Sequence, residues 1–139
     1  MNNHNLTTEQ VQALRDQCLA AREYAYAPYS KFRVGCAVLT KAGSIVTGAN
    51  VENASYGAGI CAERTAITRC VMEGQKELQA IAISSDMADC VSPCGICRQF
   101  IREFAPKVPV LMFSGQSDKM VCHTLEELLP LSFGPEHLH

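Results

Sequence analysis

Apolar positions change their period several times along the chain, and each change marks an element. Val11, Leu14, Cys18, Ala21 and Ala25 recur at helical spacing, which predicts a helix over 8–25. Thr7 and Gln10 stand at capping-box spacing at its start, and Ala27-Pro28-Tyr29-Ser30 breaks it. Arg33 to Thr40 and Ser44 to Asn50 read as strands joined by a hairpin loop at Lys41-Ala42-Gly43, with an irregular stretch over 51–59 behind them. A second helix fits Cys61 to Glu73, stopped by Gly74. Leu78 to Ser84 is a continuously apolar run of the kind that a sheet buries on both faces. Ser92-Pro93 offers an N-cap followed by proline at the first helical position, so a third helix is predicted from there to Phe104. Val108 to Ser114 and Met120 to His123 are further strands, and Thr124 to Leu129 is a last short helix ended by Pro130. The order αββαβαββα predicts an α/β fold, with helices packed on one mixed sheet of about five strands. Alternation of strand and helix through 78–114 favours a parallel pair there, joined by a right-handed crossover.

Composition narrows the classes of function. A chain of 139 residues is read as a single domain over 1–139, with 1–7 expected to be flexible. Hydrophobic residues at 47% and charged ones at 19% exclude intrinsic disorder. Apolar runs such as Val108 to Phe113 are too short to span a bilayer, and the first ten residues lack the pattern of a secretory signal. No membrane partner is expected, and the location expected is cytoplasmic. A formal charge of −2, a pI near 6.1 and scattered Lys and Arg give no electrostatic case for a nucleic-acid partner. The four histidines lie near the ends, so the centre has no raw material for a Ser-His-Asp triad or an HExxH zinc helix. No repeat, GxGxxG or P-loop occurs.

Eight cysteines fall below the density, about 8–10%, of a small secreted disulfide scaffold. Cys18, Cys36, Cys70, Cys90 and Cys122 read as small buried hydrophobes. Cys61, Cys94 and Cys97 differ, because Cys61-Ala62-Glu63 and Pro93-Cys94-Gly95-Ile96-Cys97 each place a cysteine in the first turn of a predicted helix. Free N–H groups and the positive end of the helix dipole stabilise a thiolate there. Three converging thiolates suit zinc, and a fourth position left to water would make the site catalytic. Glu63 could then take and return that water's proton. A CxxC alone also fits a redox dithiol, or a structural zinc completed by Cys90 or Cys70. The combination of C-x-E with P-C-x-x-C is far more specific, being the three-cysteine form of a zinc deaminase signature.

With these motifs in view, the chain resembles the small homotetrameric class of zinc-dependent cytidine deaminases, pyrimidine-salvage enzymes, over roughly residues 8–138. The resemblance is carried by Ala27-Pro28-Tyr29-Ser30-Lys31-Phe32-Arg33-Val34-Gly35, by Gly48 to Tyr56, by Cys61-Ala62-Glu63-Arg64, by Ser92 to Gln99, and by the tail from Leu128 to Pro135. It implies a three-layer cytidine-deaminase-like fold with a mixed five-stranded sheet flanked by helices. It implies one Zn²⁺ per subunit on Cys61, Cys94 and Cys97, with Glu63 moving protons and Arg64 offsetting the thiolate charge. Asn50 and Glu52 would hold the ribose, chiefly at its 3′-hydroxyl. Phe32 would lie against the base, and the Ala62 backbone would help to read the pyrimidine. Tyr56 and Phe133 would reach the site of a neighbouring subunit in a homotetramer with shared active sites. The implied reaction is hydrolysis of cytidine and deoxycytidine to uridine and deoxyuridine with release of ammonia, in the cytoplasm and, by diffusion, the nucleus. A carboxylate at Glu52 would repel a phosphate, which points to a free nucleoside. Two alternatives stand beside this: a deaminase of a related aminopyrimidine antibiotic, and a non-catalytic structural-zinc module. The latter would need a closed four-ligand site and no Glu63.

Overall fold

A computed structural model gives the fold and describes residues 4–138. The first helix, α1 (Thr8–Ala21), starts on the expected box: the Thr7 side chain accepts from the Gln10 N–H while the Gln10 side chain accepts from the Thr7 N–H. It ends earlier than its apolar period predicts, because Arg22–Tyr24 tighten into a 3₁₀ turn. Arg22 is drawn away from the helix axis to the end of the third strand, where its Nη1 donates to the Ser85 carbonyl at 2.8 Å. Ahead of α1, Leu6 is buried on the core; of the stretch 1–7, residues 1–3 lie outside the described residues.

The hairpin strands are β1 (Val34–Thr40) and β2 (Ile45–Ala49). Then follow α2 (Ala62–Met72), β3 (Leu78–Ser85), α3 (Gly95–Phe104), β4 (Pro109–Phe113), β5 (Met120–Thr124) and α4 (Leu125–Leu128). Element order is as the sequence predicts. The irregular stretch contains a 3₁₀ turn at Tyr56–Ala58, and another, Pro135–Leu138, closes the described chain. The sheet order is β2-β1-β3-β4-β5, with β3 and β4 parallel and every other pair antiparallel, so the sheet is mixed.

The apolar runs have a simple cause. Both faces of the central strands are covered, as expected for β3. Cys36 and Val38, Ile81 and Ile83, Val110 and Met112 point to the face carrying α2 and α3, where Ala66, Ile67 and Ile101 meet them. The alternate residues Ala37, Leu39, Ala80, Ala82, Leu111 and Phe113 point to α1, where Leu14 and Cys18 lie. Helix, sheet and helix make three layers. Ile81 and Ile83 have at most 1% of their surface exposed, and each such burial stabilises by about 1.5–3 kcal/mol.

Register also assembles one end of the sheet. Val34 pairs with Ser85 and Gly35 with Ala49, so the start of β1, the end of β2 and the end of β3 lie side by side. Both helix layers touch the hairpin at backbone distance near this end. A Cβ on Gly48 would sit 2.4 Å from the Ala66 nitrogen of α2, and one on Gly35 only 2.0 Å from the Cys18 carbonyl oxygen of α1.

Two expectations are corrected. Ser92 is not the cap of α3: Cys94 is, with extended backbone, while the Ser92 hydroxyl accepts from Arg98 Nη2 at 2.8 Å. The Arg98 guanidinium also bonds the Pro93 and Leu128 carbonyls, and this long-range fork claims the serine. Cys61 and Cys94 therefore occupy N-cap positions of α2 and α3 rather than their first turns. All eight cysteines are unbridged; Cys18, Cys36 and Cys70 are buried as expected, whereas Cys90 and Cys122 are half-buried.

Candidate active site

The cap cysteines start two helices that open toward the same point, and Cys97 follows in the first turn of α3. The Sγ atoms of Cys61, Cys94 and Cys97 all lie within 4.8 Å of one another, and Cys61 and Cys94 are 3.8 Å apart. A tetrahedral zinc with Zn–S bonds of about 2.3 Å requires S···S edges of about 3.8 Å. The Cys61–Cys94 edge matches that spacing, and the three sulfurs together are close enough to hold one metal ion. Among the described residues no fourth Cys, His, Asp or Glu joins the cluster. Cys90, one of the two candidates for closing it, donates to the Lys119 carbonyl at 3.6 Å, and Cys70 lies in the core under α2. A metal held by these three alone would keep a fourth position for water, the form of catalytic zinc sites.

Electrostatics match the donor set. Arg64 Nη2 donates to Cys61 Sγ at 3.6 Å, and its Nε is buried with no hydrogen-bond partner among the described residues. Hydrogen bonds from the Cys97 thiol and then from Arg64 draw Cys61 down to about 5, while Cys97, as donor, is pushed up. Three thiolates on Zn²⁺ would carry a formal charge of −1, which the Arg64 guanidinium would offset. Beside them Glu63 is only 4% exposed, and burial raises its carboxyl to about 7.

A cavity of about 610 Å³ runs from this cluster across the end of the sheet, a size suited to a small ligand. Cys61, Ala62, Glu63, Arg64 and Cys94 line its floor. Phe32, Asn50, Glu52 and Tyr56 also line it, Phe32 from just before β1, Asn50 and Glu52 from just after β2, and Tyr56 from the 3₁₀ turn. Asn50 spends most of its amide on the backbone, with Oδ1 accepting from the Val34 N–H and Nδ2 donating to the Phe32 carbonyl, both at 2.9 Å. That clamp fixes Phe32 and leaves one N–H for the cavity. Glu52 accepts from the Tyr29 and Ser30 N–H groups at 3.1 and 3.2 Å, and from the Ser30 hydroxyl.

Phe133 is not brought to this cavity. Its ring is 56% exposed and stacks on His137 with centroids 5.3 Å apart. Its carbonyl accepts from Gln99 Nε2, and Arg102 binds Ser132 and Glu136 on either side, so α3 holds the tail firmly outside the chain's own site. The cavity also contains residues that motif reading did not single out, notably Ser30, Ile83 and Val91. Ser30 stands in a motif, yet nothing in its spacing marks it as a partner of Glu52.

Residues 8–112 match the family model described as the cytidine and deoxycytidylate deaminase zinc-binding region. The chain belongs to this family. A cytidine deaminase from Halalkalibacterium halodurans is 43% identical over 128 residues, spanning 92% of this chain and 97% of that one. A probable cytidine deaminase from Dictyostelium discoideum is 44% identical over 135 residues, 96% of this chain and 90% of its own length. Among solved structures, the crystal structure of cytidine deaminase from Burkholderia pseudomallei superposes with a TM-score of 0.85 at 41% identity, covering 92% of this chain and all of that one. The three-cysteine cluster, which could hold the zinc of this family's zinc-binding region, lies beside the cavity of about 610 Å³.

Proposed function

We propose that this chain, as one domain over 1–139, catalyses the zinc-dependent hydrolytic deamination of free cytidine and deoxycytidine to uridine and deoxyuridine with release of ammonia. One observation carries the reading: a cluster of three sulfurs and a buried carboxyl adjoin one cavity that is also lined by a fixed phenylalanine and a polar pair. Zinc on Cys61, Cys94 and Cys97 would lower the pKa of a water at the fourth position from 15.7 toward ~7, so that a nucleophile exists at neutral pH. Glu63 takes one proton of that water and delivers it to N3 of the ring, then takes the second from the hydroxyl now on C4 and delivers it to the amine, which leaves as ammonia. Its burial on the floor keeps bulk water from competing for that proton. Phe32 lies along the base, the Ala62 backbone reads the pyrimidine edge, and Asn50 with Glu52 holds the sugar. Loss of the ultraviolet absorbance of cytidine, with and without zinc chelation, tests the reading. Turnover that is indifferent to chelation, or absent from a zinc-loaded chain, would overturn it.

The finer picture is a cytoplasmic pyrimidine-salvage homotetramer with shared sites and no nucleic-acid partner. Among the described residues no helix is long and apolar enough to cross a membrane. Tyr56, 86% exposed on the lining of the cavity, and Phe133, exposed and fastened to α3, support a role for both in a neighbour's site. Base–aromatic stacking contributes about 1–3 kcal/mol, so Phe133→Ala should raise KM for cytidine roughly 5- to 150-fold. Co-refolding Phe133→Ala with Glu63→Ala separates a shared site from a self-contained one. Mixed oligomers should exceed both parents at low cytidine; activity equal to the weighted mean of the parents would rule out stacking in trans.

A further inference from the structure

The turn before β1 is stitched to the strand-like segment after β2. Tyr26 N–H donates to the Asn50 carbonyl and Glu52 N–H to the Tyr26 carbonyl, at 2.9 and 2.8 Å. Two residues after Tyr29 the backbone of Lys31 turns left-handed, with φ 61°, a conformation that costs a non-glycine residue free energy unless its surroundings hold it. Ser30 supplies the hold. Its Oγ accepts from the Phe32 N–H at 3.0 Å, across Lys31, and donates to Glu52 Oε2. One hydroxyl thus joins the ring-bearing residue to the carboxylate.

Counting acceptors shows what this leaves for a ligand. A carboxylate has about four lone-pair sites. Glu52 Oε1 takes the Tyr29 and Ser30 N–H groups and is filled, and Oε2 takes the Ser30 O–H. One acceptor site on Oε2 remains, next to the serine hydroxyl and on the lining of the cavity. The same three donors hold the carboxyl below its ordinary range, so it is a charged acceptor. We infer that Ser30 is the positioning residue for sugar recognition: it aims the last free lone pair of Glu52 Oε2 at a single hydroxyl of the nucleoside, and it ties that aim to the position of Phe32. The inference rests on the reading of Glu52 as the ribose contact, and its test separates the two.

Cytidine and 3′-deoxycytidine are compared by kcat/KM in the zinc-loaded enzyme and its variants. Loss of Phe32 positioning would slow both substrates alike and cancel in the ratio, whereas loss of aim at Glu52 would not. Ser30→Ala should fold and hold zinc normally, and lower the preference for cytidine over 3′-deoxycytidine roughly tenfold, chiefly through KM for cytidine. Ser30→Thr, which keeps the hydroxyl on an exposed turn, should restore the preference. An unchanged ratio in Ser30→Ala, or a Ser30→Thr ratio as low as that of Ser30→Ala, would overturn the role of the serine. The Glu52→Gln enzyme tests the underlying reading. If it too leaves the ratio unchanged, Glu52 does not contact the sugar; if it lowers the ratio while Ser30→Ala does not, only the serine inference falls.

Discussion

Glu63→Ala should leave a folded, zinc-loaded protein that turns over cytidine at least about 10²–10⁴-fold more slowly than the parent. That is the usual contribution of one positioned acid–base group, and this carboxyl is asked to carry two protons in succession. Nothing else on the floor of the cavity can replace it: the neighbouring ionisable groups are the metal-binding sulfurs and a guanidinium that only donates. The fold should survive, because alanine is the best helix former and position 63 lies in the first turn of α2. Removing the side chain also relieves the cost of burying a carboxyl whose ordinary pKa lies well below the value of about 7 it has here. Glu63→Gln, of similar volume, should be equally inactive, which separates the loss of the proton carrier from the loss of shape. Zinc content, circular dichroism and kcat measured on the same preparation decide the matter. A folded, zinc-loaded Glu63→Ala enzyme within tenfold of the parent would remove Glu63 from the chemistry.

Cys94→Ala should lose metal, activity and stability together. The sulfur is exposed and makes no packing contribution of note, so on contacts alone the substitution ought to be nearly silent. Its effect comes from the metal. Binding free energies at three- and four-ligand zinc sites are folding free energy, roughly 10–16 kcal/mol in the best-measured structural cases. Here a zinc on these cysteines would link the starts of α2 and α3, whose caps have no side-chain hydrogen bond of their own. A large drop in Tm is expected, and chelation of the parent should reproduce it. Chelator added to Cys94→Ala should change nothing further. Stoichiometric zinc at an unchanged Tm in the variant would show that Cys94 is not a ligand.

Most of the fold was legible in the sequence because its signals are local. The hairpin loop at Lys41-Ala42-Gly43, the unbroken apolar run of β3 and the box at Thr7 and Gln10 each arise within a few residues, and each reappears as built. Misread ends have long-range causes. Arg22 leaves α1 for the end of β3, and Arg98 takes the Ser92 hydroxyl from its cap while reaching Leu128, 30 residues on. The candidate site divides the same way. Cys61, Glu63, Cys94 and Cys97 announce themselves through spacing, since helix starts dictate it. Ser30 and the outward fastening of Phe133 by Gln99 and Arg102 are products of tertiary placement, which no periodicity records.

The two backbone contacts at Gly35 and Gly48 bear on how this sequence is free to drift. Neither position lines the cavity, yet each fixes a distance on which the chemistry depends. Gly48 sets the height of the first turns of α2 above the sheet, and so the height of Cys61 and Glu63. Gly35 sets the opposite layer against the start of the strand that carries the Phe32 wall. Even one methyl group at either place would push a whole helix outward. Selection for turnover would therefore weigh on these two silent positions as heavily as on the sulfurs themselves. A library randomised across the hairpin should return glycine there while its neighbours vary.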